Sequence, residues 1–80
     1  MLIKIAFGSE IHVLKTTEVL TYEGLSSFIK SVFKKLPSRY ALTYQDGDGD
    51  RISLDKDSDV LTLFESGLGK IKIEIEEAHH

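Results

Sequence analysis

YEGLSSFIKSVFKKL, residues 22–36, is the stretch on which the fold turns. Its apolar residues Leu25, Phe28, Ile29, Val32, Phe33 and Leu36 recur at i, i+3, i+4, i+7, i+8 and i+11, the spacing of one buried stripe on an α-helix. Thr21 stands where an N-cap belongs, and Glu23 puts negative charge in the first turn. Gly24 occupies the position that a capping-box glutamate would fill. Pro37 cannot continue a helix, so the spacing predicts a helix over Tyr22–Leu36. Lys30, Lys34 and Lys35 read as its solvated back.

Outward from this helix the hydrophobic period changes from 3.6 to 2. On the N-terminal side, LIKIAF at residues 2–7 places Ile3, Ile5 and Phe7 on one face and Leu2, Lys4 and Ala6 on the other. Gly8-Ser9-Glu10 reads as a hairpin connection to a second strand over about residues 11–16. On the C-terminal side, Tyr40–Gln45 reads as a third strand, weakened by Ala41. DGDG at residues 46–49 is turn chemistry, and Arg51–Leu54 is a short fourth strand. Asp57-Ser58-Asp59 is expected to cap a short helix carrying Val60, Leu61, Leu63 and Phe64, with Gly67 as its stop. The last strand alternates strictly: Ile71, Ile73 and Ile75 face in, while Lys70, Lys72, Glu74 and Glu76 face out. The order β-β-α-β-β-α-β describes an α+β domain, a ubiquitin-like β-grasp sheet with the long helix across one face. Phe28, Phe33 and Phe64 are expected in the core, and Tyr22, Tyr40 and Tyr44 at its edges with wet hydroxyls.

Composition narrows the function. With 80 residues the chain is one domain, and a hydrophobic fraction of 41% against 29% charged suits a packed fold. Cysteine is absent, which excludes disulfides and thiolate metal sites and makes a cytoplasmic setting the default. No apolar run nears the roughly 20 residues of a membrane helix, and Lys4 interrupts any signal-like segment. No membrane partner is expected. Residues 1–77 are expected to form the domain, and 78–80, ending in His79-His80, to be a tag remnant or disordered tail. Catalysis finds no support: the remaining histidine is His12, and no serine sits in a nucleophile context. No enzyme activity and no cofactor are expected. The net charge of -3 and the lack of aromatics among the lysines argue against nucleic acid.

The charge is segregated. Between Asp46 and Asp59 stand six aspartates against Arg51 and Lys56. Asp46, Asp48 and Asp50 occupy the first, third and fifth places of an EF-hand loop, but the sixth is Arg51 where glycine is needed and the twelfth is Asp57 where a bidentate glutamate is needed. No metal site is expected. Turn chemistry needs one or two aspartates, and three in one turn repel one another, so an external cation is the simpler reason for their number.

The pattern Tyr44-x-Asp46-x-Asp48-Gly49-Asp50, then Ile52 and Leu54, then Asp57-x-Asp59-Val60, resembles the acidic signature of the Phox-and-Bem-one (PB-one) domain family. The element order, Gly8 after the first strand, and Thr21-Tyr22-Glu23 opening the helix agree with it, so the resemblance spans nearly the whole chain. It implies front-to-back pairing with other PB-one-like domains, self-association into oligomers included, in scaffolds of signalling and autophagy. Asp46, Asp48, Asp50, Asp57 and Asp59 would form the acidic face. Lys4 matches the first-strand lysine at the centre of the basic face. Many members carry arginines early in the second strand, where this chain has His12 and Val13, so Lys15 and a protonated His12 are expected to complete the basic face. A ubiquitin-like adaptor that binds a peptide or a GTPase along its sheet edge is the alternative.

Overall fold

The computed structural model describes residues 2–65 and 69–78. Five strands and two helices follow in the expected order: β1 (Leu2–Phe7), β2 (Glu10–Lys15), α1 (Tyr22–Val32), β3 (Tyr40–Gln45), β4 (Arg51–Leu54), α2 (Asp57–Glu65) and β5 (Lys70–Glu77). The strands form one mixed sheet in the order β2-β1-β5-β3-β4. β1 and β5 run parallel at its centre, and the other pairings are antiparallel.

Period-2 alternation gives the sheet two faces. Ile3 and Ile5 of β1, Ile71, Ile73 and Ile75 of β5, Leu42 and Tyr44 of β3 and Leu54 of β4 line the inner face, and all are buried. Leu25, Ile29 and Phe33 from the α1 segment and Val60 and Leu63 from α2 close the same cluster. Among the described residues both helices pack on the inner face, and the outer face is wet and mostly polar, with Ala6, Ile11 and Val13 on its β1–β2 part. Thr43 is the exception there: it is buried, and its Oγ1 has no hydrogen-bond partner among the described residues.

Four expectations are corrected by the structure. α1 ends at Val32 and not at Leu36. Phe33 leaves the helix with φ −90° and ψ 121°, its N–H still donating to the Ile29 carbonyl at 3.0 Å. Its ring turns under the sheet edge to meet His12 edge-on at 4.7 Å between centroids. A tertiary contact thus overrides the helical periodicity, and the restriction that Pro37 places on Leu36 leaves little to hold a last turn. β2 starts one residue early, because Gly8 at φ +60° with Ser9 closes the hairpin and leaves Glu10 paired with Phe7. Tyr44 is not an edge residue: it is 4% exposed, on the inner face opposite Ile73. Tyr40 is half-buried with its hydroxyl 2.8 Å from Ser26 Oγ, which ties β3 to α1. The fourth correction concerns the caps. Asp57 does not cap its own helix; its Oδ1 accepts from the Tyr22 N–H of α1 at 2.7 Å, beside the Thr21 hydroxyl that accepts from Gly24. Asp59 Oδ2 reaches back to the Asp55 N–H at 2.9 Å, which holds the entry to α2.

β5 ends at Glu77, and the Ala78 N–H donates to the Arg39 carbonyl at 3.1 Å just beyond it. Gly67, His79 and His80 lie outside the described residues. Among the described residues, no helix is long and apolar enough to cross a membrane.

Candidate functional site

The β3–β4 connection is built around one carboxylate. Asp46 Oδ1 accepts from the N–H groups of Asp48 and Asp50, at 3.0 and 2.9 Å. Its backbone N–H donates to the Asp50 carbonyl at 2.9 Å, and its carbonyl accepts from Gly49 at 3.1 Å. Gly49 supplies φ +87°, and its carbonyl takes the Gln45 Nε2 at 3.0 Å. A side chain that closes its own turn is the usual task of an aspartate in this position. The turn leaves Asp48 and Asp50 exposed, with neither carboxylate in a hydrogen bond or ion pair among the described residues. One carboxylate oxygen from each of Asp46, Asp48 and Asp50 lies within 4.8 Å of the others.

Asp46 therefore shapes the turn while Asp48 and Asp50 present charge, and substitutions separate the two tasks. Asp46→Asn keeps the accepting oxygen and is expected to leave stability within about 0.5 kcal/mol of the parent. Asp46→Ala strands two N–H groups and is expected to cost roughly 1–2 kcal/mol in urea denaturation. Equal stability of the two variants would show that the carboxylate does not hold the turn.

The second acidic segment comes from α2. Asp57 and Asp59 sit in its first turn, where the helix dipole favours negative charge. Each spends one oxygen on the backbone hydrogen bond already described and keeps the other. Tyr44 joins this segment to the turn: burial first, then the charges of Asp46 and Asp59, push its hydroxyl above the ordinary tyrosine range. Both carboxylates therefore stand near the buried ring that supports them.

The cation nearest in sequence turns away. Arg51 sits opposite Gln45 on the outer face, where its Nη2 donates to Glu74 Oε2 at 2.6 Å and its Nη1 forms an ion pair with Glu76 Oε1 at 2.9 Å. No aspartate of the group forms an ion pair among the described residues. Among the described residues the acidic cluster is uncompensated.

The lysines collect on the outer face. Lys4 is exposed there, with Val13 of β2 on one side and Lys72 of β5 on the other. Lys15 and Lys70 flank Leu2 in the same way. Lys4, Lys15 and Lys70 make no ion pair among the described residues, and Lys72 reaches only Glu74 at 3.8 Å. Like charges directly opposite on neighbouring strands disfavour the sheet, so the Lys4–Lys72 pair has no structural reward.

His12 does not join this group. It pairs with Ile5, which puts it on the inner face at the sheet edge, packed on Phe33 and 2.6 Å from Glu10 Oε2. Alternation along β2 had already set it opposite Val13 and Lys15. Lys70 and Lys72, absent from the expected basic face, stand on the β5 side of Lys4, across β1 from the second-strand positions His12 and Val13. The strict alternation of β5 showed both facing out; adding the parallel β1–β5 pairing of a β-grasp sheet would have placed them beside Lys4.

A model of the PB1 (Phox-and-Bem-one) domain matches residues 1–78. Among solved structures, the chain is similar to the AtNBR1-PB1 domain, with 21% identity, a TM-score of 0.84, and 98% of this chain and 97% of that chain covered. It is also similar to the AtNBR1-PB1 filament (L-type) seen by cryo-EM, with 24% identity, a TM-score of 0.81 and the same coverage. The PB1 domain of Cdc24p (long form), in solution, follows with 24% identity, a TM-score of 0.69 and 94% of each chain. No curated protein sequence matches. The family match spans nearly the whole chain and the ubiquitin-like fold agrees with it: the chain belongs to the PB1 domain family.

Proposed function

We propose that this domain is a non-enzymatic protein-interaction module that pairs front to back with other PB1 domains, its own copies included. The observation that carries the reading is the double surplus of charge. Asp46, Asp48, Asp50, Asp57 and Asp59 have no cation partner among the described residues, and Lys4, Lys15 and Lys70 have no anion. Each cluster answers the other only across two molecules. The AtNBR1-PB1 filament is a relative of this fold that assembles with itself.

A domain with two unlike complementary faces makes a heterologous contact, which extends into a chain unless the rotation closes a ring. Electrostatic complementarity fixes register and partner choice, and steers the encounter. An ammonium suits the acidic side better than a metal ion, because Asp46, Asp57 and Asp59 already give one oxygen each to backbone N–H groups.

Light scattering after size exclusion, at several protein concentrations and salt strengths, tests this. The expected result is a mass that grows with concentration at low salt and falls toward the monomer at about 0.5 M, where the Debye length shrinks to a few ångströms. A monomer at every concentration that still binds no PB1 relative would turn attention to the free edges of β2 and β4, where an extended peptide adds as a strand.

A further inference from the structure

Beside the lysines, the outer face of β2 carries two apolar side chains that stand more than half exposed among the described residues. Ile11 is 54% exposed and Val13 52% exposed, and Ala6 of β1 lies opposite Ile11. Val13 is the direct cross-strand partner of Lys4. This is the place where a purely ionic face would carry more cations. On the acidic side, Leu61 is 45% exposed on α2, one helical turn beyond Asp57.

We propose that Leu61 of a second copy packs on the Ile11–Val13 strip when its aspartates engage Lys4, so that each charged contact has an apolar one beside it. The inference rests on the front-to-back reading and adds a contact to it. Spacing supports this occupant. Opposed side chains on antiparallel strands stand about 5 Å apart at Cβ, and residues four apart on a helix stand about 5–6 Å apart. Lys4 and Val13 therefore offer a cation and an apolar group at the same separation at which Asp57 and Leu61 offer an anion and an apolar group. Charge complementarity fixes which surface of the second copy arrives here, and Leu61 travels with it. Burying this pair removes apolar area from water, a contribution that salt does not screen.

The test uses Leu61→Ser, Val13→Ser and the double variant, with self-association measured by light scattering and sedimentation at low and high salt. Both side chains are exposed in the single domain, so circular dichroism is expected to be unchanged. Each single variant is expected to weaken self-association about ten-fold, as the loss of one well-packed apolar contact does. The double variant is expected to be no weaker than either single, because both remove the same contact. Full additivity, or an effect of Val13→Ser with none from Leu61→Ser, would overturn the proposal by separating the two side chains. A parent that associates, is disrupted by Lys4→Ala and ignores both serine variants would also overturn it while leaving the front-to-back reading intact. A parent that never associates would remove that reading first.

Discussion

Lys4→Ala protein, mixed with protein carrying Asp48→Ala and Asp50→Ala, is expected to give a one-to-one dimer and nothing larger. On the proposed pairing, the first variant lacks the central cation of the basic face and the second the exposed turn carboxylates of the acidic face, so one intact joint forms and the next is lost. Lys4 has an uncharged side chain, Val13, on one flank and a like charge, Lys72, on the other, so its ammonium has no anion partner among the described residues. Truncating one side of a partly desolvated charge pair typically costs about 2–5 kcal/mol, because the other side is left unpaired. At about 1.4 kcal/mol per decade, that lowers affinity by roughly two decades or more. Analytical ultracentrifugation of each variant alone and of the mixture reads the outcome. If Lys4→Ala assembles as the parent does, Lys4 is not the central cation; adding Lys72→Ala then shows whether its neighbour on β5 is.

The largest effect on the fold is expected at Ile73. It is 0% exposed and lies in the central strand, with Ile5 as its partner on β1 and Tyr44 on β3. Ile73→Ala removes contacts from both halves of the sheet at once, and the strands cannot close on the space. The expected cost is about 3–4 kcal/mol, within the range for large-to-small core substitutions. A domain of this size holds only about 4–12 kcal/mol in total, at 0.05–0.15 kcal/mol per residue. Urea denaturation is expected to show a midpoint lowered by roughly 1–4 M, with an unchanged slope. A loss below about 1 kcal/mol would mean that the centre of the sheet repacks freely.

The sequence predicted the elements that obey a single period. β5 alternates over its whole length because its inner face meets α1 and its outer face meets water, so nothing competes with the pattern. The end of α1 was harder to see, because Phe33 fits the helical stripe and also fits the contact with His12 that it makes. His12 shows the same difficulty from the other side: a histidine beside a lysine-bearing strand suggests positive charge, but the register turns it inward. Among the aspartates, Asp48 and Asp50 could be read as charge and Asp46 and Asp59 accept from backbone N–H groups within four residues, whereas the hydrogen bond of Asp57 depends on Tyr22, 35 residues away. Lys72 next to Lys4 depends on pairing the two ends of the chain, which no local pattern contains.

That pairing also sets the order in which the domain can form. The last strand, β5, occupies the middle of the sheet, hydrogen-bonded to β1 and β3. Until it is in place, β1–β2 and β3–β4 are two separate hairpins, each with an unpaired inner edge and an uncovered apolar face. During synthesis the N-terminal hairpin must wait for more than fifty further residues before its neighbour leaves the ribosome. Such long-range closure slows folding, and the waiting edges are open to other chains. A nascent chain that stops before Lys70 has no route to the native sheet, and is a substrate for chaperones or for aggregation.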